Sequence, residues 1–246
     1  MEKDMIVLEK LSKSYGTKKA VDQIDLTVKE GEMLALLGVN GAGKTTTIKM
    51  LSCLTKPGGG RALVGGYDVT KDTEAVKALV GISTQDTAIA RNLTVEENLR
   101  FMAGICLDPK KNGRKEIIAR VEEVIEEFKL EEVRGTKSCK LSGGWQRRLS
   151  IAMAVIGDPQ LILLDEPTLG LDVLARRELW RAIEKLKKKR TIILTTHYME
   201  EAEALADRIA IMIGGHIVMT GTVAELEAKT GQSGLENVFI SVAEGE

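Results

Sequence analysis

Aromatic residues are scarce: three Phe, three Tyr and two Trp in 246 positions. Single-strand nucleic-acid binders draw much of their affinity from base stacking on such rings, so that class is disfavoured. Cysteine is also sparse, with Cys53, Cys106 and Cys139 far apart and no CxxC pair. An odd, scattered set suggests neither a disulfide framework nor a zinc site. Reduced, mostly buried thiols in a cytoplasmic protein are the expectation. No charge of one sign dominates, since 35 Lys+Arg stand against 36 Asp+Glu for a net charge of −1. That balance argues against a generally basic nucleic-acid binder and leaves a local basic patch open. Long hydrophobic runs are missing too. The uncharged stretches 33–43, 149–157 and 209–215 fall short of the ~20 residues a membrane-spanning helix needs. The opening Met-Glu-Lys-Asp has acids and no apolar run behind its lysine, unlike a signal peptide. If this protein acts at a membrane, another chain must supply the span.

What is present suits a soluble globule: 43% hydrophobic and 29% charged residues. A chain of this length can bury roughly 70–75% of its unfolded surface in one core, without metal or disulfide staples. Met5–Leu8 is apolar, and Ile24, Leu26 and Val28 alternate with polar residues as on a half-buried strand. Met33–Leu37 is continuously apolar, suiting a strand buried on both faces. A helix is expected from Lys44, with Ile48, Leu51 and Leu54 on one side, ending before Pro57. Arg61–Val64 and Val80–Ser83 read as short strands. From about 87 to 140 the pattern turns helical. Thr94 and Glu97 form a capping-box pair, and Ile117, Ile118, Val121, Val124, Ile125 and Phe128 line one helical face. Beyond this come a helix from Ser142, a strand at Leu161–Leu164 and a helix around Arg176–Lys188, with Lys187–Arg190 a solvated helix end. A strand at Thr191–Thr196 and a helix near Met199–Ala206 follow. Alternating strands and helices imply a parallel sheet. Ile209–Ile213 and His216–Thr220 flank Gly214-Gly215 as a hairpin, and the tail beyond Val223 is short.

Two patterns point to a phosphate. Gly38-Val39-Asn40-Gly41-Ala42-Gly43-Lys44-Thr45 matches GxxxxGK[ST] between a strand and a helix. Its glycines let backbone N–H groups wrap a phosphate, and the helix N-terminus adds partial positive charge. Lys44 can reach β- and γ-phosphates and the Thr45 hydroxyl can bind Mg²⁺. Asp165 and Glu166 end the apolar run Leu161–Leu164, where open α/β sheets bind ligands. Asp165 is placed for the Mg²⁺ shell and Glu166 for polarising the water that attacks the γ-phosphate. Alone, each pattern has a bland alternative: a glycine turn, or a surface Asp-Glu after a core strand. Together they specify a nucleotide phosphohydrolase or kinase.

A second glycine motif, Leu141-Ser142-Gly143-Gly144-Trp145, precedes a helix with Leu149, Ala152, Met153 and Ile156 on one face. Ser142 is a good N-cap, and Gly143 and Gly144 bare a second anion-ready helix end. With this motif the chain resembles the ATP-binding subunits of ABC transporters over essentially its whole length. The motifs run in that family's order: Tyr15, the loop at 38–45, Gln85, Leu141–Trp145, Asp165-Glu166, Leu171-Asp172 and His197. Trp145 stands where Gln is commonest, and Thr84 precedes Gln85 where Pro is frequent.

The resemblance implies an α/β P-loop NTPase fold with a mixed central sheet, an N-terminal antiparallel β subdomain and an inserted helical subdomain. Residues 1–86 and 141–246 would form the nucleotide-binding core, and 87–140 the helical insert. It implies a head-to-tail dimer, each ATP lying between one chain's phosphate loop and the other's Ser142-Gly143-Gly144. Tyr15 would stack on adenine with Val21 packing nearby, and Gly38, Asn40, Gly41, Ala42, Gly43, Lys44, Thr45 and Thr46 would hold the phosphates. Thr45, Gln85 and Asp165 would bind Mg²⁺, Gln85 linking the core to the insert. Asp172 would lie at the dimer interface. Glu166, His197 and Lys44 would be catalytic, His197 contacting the γ-phosphate. His216 is read as structural.

Within the family, the stretch Leu141–Leu171 and the run Gly234–Phe239 resemble the antibiotic-resistance and multidrug efflux branch. The expected partners are a second ATPase domain, in the simplest case another copy of this chain, and a separate transmembrane permease. The protein would then sit peripherally on the inner face of the cell membrane, with no nucleic-acid partner. The alternative is a soluble ABC ATPase acting on nucleic acid or ribosomes, a class that generally carries tandem ATPase units or a long coiled-coil insert.

Overall fold

Two twelve-residue strands, Asp4–Tyr15 (β1) and Lys18–Lys29 (β2), pair antiparallel, with Tyr15 opposite Lys18. Gly16 turns the chain between them at φ +58°, a value that suits glycine. Buried residues alternate along β2 because only one face of this sheet is covered. The next strand, Met33–Leu37 (β3), is buried throughout, as its apolar run predicts. The helix Lys44–Leu51 (α1) follows. It stops at Leu51, so Leu54 lies outside it and is 61% exposed rather than on its buried side. Gly59–Val64 (β4) and Tyr67–Asp68 (β5) then complete the four-stranded antiparallel sheet β2-β1-β4-β5.

Thr73–Leu79 (α2) leads into Val80–Ser83 (β6). Two helices, Val95–Cys106 (α3) and Arg114–Glu127 (α4), come next. The capping box forms as expected: Thr94 Oγ1 accepts from the Glu97 N–H at 3.2 Å, and Glu97 Oε2 accepts from the Thr94 N–H at 2.8 Å. Such a cap contributes about 1 kcal/mol. Fully buried Asn98 holds the chain before it, bonding Ala90 through both N–H and carbonyl and reaching the Ser138 hydroxyl at 2.9 Å.

The remaining elements are Gly143–Val155 (α5), Leu161–Asp165 (β7), Val173–Lys187 (α6), Thr191–Thr196 (β8), Met199–Leu205 (α7), Arg208–Ile213 (β9) and His216–Gly221 (β10). The structure is a computed structural model that describes residues 3–107, 113–187 and 189–244, so Lys188 lies outside the described residues. The tail past Val223 is not mere tail. It forms Val223–Thr230 (α8), opened by a second capping box between Thr222 and Glu225, and Leu235–Glu244 (α9).

The six-stranded sheet runs β10-β9-β3-β8-β7-β6. It is parallel except at the edge, where β10 returns antiparallel through Gly214 and Gly215, both at positive φ. Alternate strand residues serve two cores. Met33, Ala35, Leu37, Ile162, Leu164, Ile192 and Leu194 pack with α3–α9 on one face. Leu34, Leu36, Leu161, Leu163 and Ile193 pack on the other with α1 and the antiparallel sheet. The helix α5 is buried on more than one side, since Arg147, Ser150, Ile151 and Val155 are covered as well as Leu149, Ala152 and Met153.

Two expectations about side chains are overturned. Cys106 and Cys139 are exposed and Cys53 is half-buried, so the thiols are free but not mostly buried. Arg190 is not a solvated helix end. It is buried and pairs with Asp158 at 2.6 Å.

Candidate active site

Parallel strands share a direction, so the carboxyl ends of β3, β6, β7 and β8 lie on one edge of the sheet. Each delivers part of the site: Gly38 after β3, Gln85 after β6, Asp165 and Glu166 at β7, and His197 after β8. A cavity of about 400 Å³ opens there, lined by Tyr15, Lys18, Ala20, Asn40–Thr46, Gln85 and Glu166.

The loop from Gly38 to Lys44 requires glycine at two places. At Gly43, φ is +108° and an added Cβ would stand 2.4 Å from the Ala20 carbonyl oxygen. At Gly38 it would stand 2.3 Å from the Met212 carbonyl oxygen. Neither site has room for a side chain, so bare backbone faces the cavity, ending at the N-terminus of α1. Buried Lys44 curls over this loop. Its Nζ donates to the carbonyls of Gly38 at 2.6 Å and Val39 at 3.2 Å, and lies 3.2 Å from Glu166 Oε1. A cation is thus held over the glycine loop at the wall of the cavity.

Thr45, Asp165 and Thr195 form a hydroxyl–carboxylate–hydroxyl group. Thr45 Oγ1 donates to Asp165 Oδ1 at 3.0 Å, and Thr195 Oγ1 donates to the same oxygen at 2.6 Å. Thr195 Oγ1 also accepts from the Glu166 N–H at 3.0 Å, so one hydroxyl positions both carboxylate residues. These are hard oxygen donors, as Mg²⁺ prefers, and one carboxylate suffices when substrate phosphates supply further ligands. Among the described residues no group of three His, Cys, Asp or Glu could hold a metal without such help.

Glu166 adopts φ +50°, a backbone conformation rare outside glycine and concentrated at functional sites. Its Oε2 lies 2.8 Å from Nδ1 of His197. The tautomer with hydrogen on Nδ1 donates across this contact to the carboxylate. His197 does not line the cavity and meets it through Glu166.

Other expected residues are placed less directly. Half-exposed Tyr15 stands at the cavity wall, whereas Val21 is buried beneath the loop against Gly43. The wall beside Tyr15 is made by Lys18 and Ala20, which sequence reasoning missed. Ser142 and Gly144 line a separate hollow of about 100 Å³ with Trp145, Arg148 and Ala175. Within one chain they are not part of the phosphate cavity. Ser142 has cap backbone geometry but its side chain makes no cap bond. Asp172 caps α6, Oδ1 accepting from the N–H groups of Leu174 and Ala175 at 2.9 Å each.

A further missed residue is Arg147. Its guanidinium donates to the Thr84 carbonyl at 2.8 Å and the Gln85 carbonyl at 2.7 Å. Burial pulls its pKa below the usual guanidinium value, opposed by the charges of Asp165, Asp86, Glu166 and Glu201. It fastens the helix after Ser142-Gly143-Gly144 to the loop carrying Gln85.

A glycine cradle at a strand–helix turn, a lysine over it and two carboxylates at the end of β7, one strand beyond β8, define a nucleoside-triphosphate hydrolase of the phosphate-loop class. A protein-family model for the ABC transporter matches residues 21–169. The chain belongs to that family as an ATP-binding subunit, which binds ATP and hydrolyses it in support of transport. It is 38% identical over 235 residues to the "Daunorubicin resistance ATP-binding protein DrrA3" of Streptomyces coeruleorubidus, covering 95% of this chain and 73% of that protein. It is 40% identical to the "Phospholipid-transporting ATPase ABCA3" of Homo sapiens over 92% of this chain, but spans only 13% of that much longer protein. Among solved structures, it is similar to the ATP-binding cassette MJ0796, described as a dimer in a post-hydrolysis state bound to ADP and Pi. The TM-score is 0.80 at 26% identity, covering 89% of this chain and 98% of that one.

Proposed function

We propose that the chain is the ATP-hydrolysing subunit of a membrane exporter, working as a head-to-tail dimer beneath a separate permease. The observation that carries the dimer is the separation of the two glycine motifs. Exposed Ser142 and half-buried Gly144 line a hollow of their own, away from the phosphate cavity, with Gly143 exposed between them and the Ser142 hydroxyl unused by its helix. A second copy can bring that helix end to the open side of the first copy's nucleotide. Beside Asp172, Val173 and Leu174 are 55% and 76% exposed, which suits coverage by a partner. Residues 1–86 and 141–246 serve as the nucleotide core and 87–140 as the insert that transmits its state.

Tyr15 stacks on adenine while Val21 supports the loop from below. The N–H groups of the loop from Gly38 to Thr46 hold the phosphates, and Lys44 exchanges the Gly38 and Val39 carbonyls for β- and γ-oxygens. Thr45, Asp165 and Gln85 hold Mg²⁺, which would supply charge neutralisation on those oxygens. Glu166 orients a water and takes its proton as its oxygen bonds to the γ-phosphorus and the bond to ADP breaks. His197 keeps Glu166 aimed and faces the γ-phosphate.

The named daunorubicin-resistance relative favours export, with drugs or other small amphipathic molecules as cargo. Among the described residues no helix is long and apolar enough to cross a membrane, which suits attachment to the inner face of the cell membrane through the permease. Phe101 and Ile105, one turn apart on α3 and both exposed, offer the permease an apolar patch beyond Gln85.

The test is Glu166→Gln, which keeps the size of the side chain and removes the base. With ATP and Mg²⁺ it should accumulate as a dimer by light scattering, because ATP stabilises the state that binds it. Crosslinks from residues 86–102 should reach a multi-span protein in native membranes. A variant that binds ATP yet stays monomeric at micromolar concentration refutes the shared site. Co-sedimentation with ribosomes or DNA at physiological salt, with no such crosslink, replaces the exporter reading by the soluble one.

A further inference from the structure

Glu201 is a carboxylate near the site for which the hydrolytic chemistry has no use, and it is fully buried. It sits in the first turn of α7, four residues after His197. Its Oε1 accepts from Nε1–H of Trp180 on α6 at 3.1 Å. The hydroxyls of Thr196 and Thr168 face the same carboxyl. Yet Oε2 and the buried Thr168 Oγ1 are both without a partner in hydrogen-bond geometry. Two unsatisfied buried oxygens at one place are costly, and a hydrogen bond between the hydroxyl and the carboxyl removes the cost.

The three neighbours are informative. Thr168 is two residues after Glu166. Thr196 immediately precedes His197, and its Oγ1 accepts the Tyr198 N–H at 3.0 Å, bracing the turn that carries the imidazole. Trp180 belongs to α6, the helix that Asp172 caps. We propose that Glu201 is a positioning residue for ATP hydrolysis: one buried carboxyl gathers the Glu166 loop, the His197 turn and α6, and thereby sets the 2.8 Å contact between Glu166 and His197.

The burial of Glu201 favours the neutral acid. Burial raises its pKa, and the nearby Glu166 charge adds to the rise, against donors at Thr196, Thr168 and Trp180. A neutral acid accepts from Trp180 through Oε1 and donates from Oε2 to Thr168 Oγ1, pairing both lone oxygens. An ionised one would accept from the Thr168 hydroxyl instead and place a second negative charge near Glu166.

The role rests on the assignment of Glu166 and His197 above, so the test needs a readout independent of turnover. The chain has only two histidines, His197 and His216, so ¹⁵N-imidazole NMR reports the site with an internal control. Glu201→Ala should shift the His197 ring signals and leave those of His216 in place. Its kcat per bound ATP should fall roughly tenfold or more with KM unchanged, as for a catalytic pair moved by part of an ångström. Glu201→Gln reproduces the acceptor–donor pattern of the neutral acid. It should keep the His197 signals and hold kcat within about threefold of the parent. Unmoved His197 signals in Glu201→Ala overturn the proposal, as does a Glu201→Gln variant as impaired as the alanine one. If Glu201→Ala does not fold, Thr168→Val removes the hydroxyl at constant volume and should give the same NMR shift. Its silence is equally decisive against the tie. Should Glu166→Gln turn over at the parental rate, the catalytic assignment falls while the NMR result still judges Glu201.

Discussion

Replacing Arg147 with Met tests how the signature helix is fastened to the nucleotide site. Methionine matches much of the arginine stem and removes the guanidinium alone, so packing in α5 is largely kept. Two charge-assisted bonds are lost, to the carbonyls of Thr84 and Gln85. Each such bond contributes about 1.5–3 kcal/mol. Against this stands the desolvation of a buried cation, which the lowered pKa of Arg147 records. Gln85 is exposed and its carbonyl can turn to water, whereas Thr84 is half-buried. The net loss is therefore about 2 kcal/mol, which for a domain of this size lowers Tm by about 4–8 °C. Function should fall further than stability. Gln85 lines the nucleotide cavity through a backbone held by Arg147, so hydrolysis slows, while the loop around Lys44 is untouched and ATP affinity persists. Differential scanning fluorimetry, a fluorescent ATP-binding titration and phosphate release on one preparation separate these effects. Arg147→Met protein with parental Tm and parental turnover would refute the reasoning.

Gly43→Ala places a methyl 2.4 Å from the Ala20 carbonyl at φ +108°. The backbone strain alone costs about 1–3 kcal/mol, so the loop should distort and ATP affinity should drop by more than about tenfold, read by the same titration. Lys44→Ala removes the ammonium bonded to the Gly38 and Val39 carbonyls and leaves buried Glu166 with His197 as its side-chain partner. Hydrolysis should be abolished and nucleotide binding weakened, as phosphate release and titration will register; unchanged turnover would contradict the assignment. A pH effect is expected in the 87–140 segment. Glu96 is held below the usual carboxylate range by the Arg134 side chain at 2.5 Å, then by the charges of Arg100 and Arg134. Because the folded value is the lower one, its stabilisation is present above the unfolded pKa of about 4.3 and disappears as pH falls through the folded pKa. Glu96→Gln should cost about 1 kcal/mol at pH 7, given partial exposure. In urea unfolding the gap between variant and parent should close as the pH approaches 3.

Much of this molecule is legible locally. The short apolar runs Met33–Leu37 and Leu161–Leu164 suit strands covered on both faces, as β3 and β7 are. The spacing Gly38–Thr45 announces a phosphate loop because close backbone approach needs glycine. The Thr222–Glu225 capping box was equally readable and announces α8, though the tail looked short. What the linear pattern does not contain is the strand order. Asp165 meets Thr45 and Thr195, and Glu166 meets His197, only because β7 is laid beside β8 and β8 beside β3 in parallel register. Arg147 reads along the chain as one more solvated charge and becomes buried only where the end of β6 brings two carbonyls beneath α5. Glu201 looks like any acid in a helix's first turn until α6 covers it with Trp180. The same covering decides the cysteines and Arg190, whose exposures ran opposite to expectation. Periodicity identifies which face of an element is apolar. It carries no information about which neighbour supplies hydrogen bonds to a polar group, because those partners come from segments distant in sequence and meet only when the sheet is assembled.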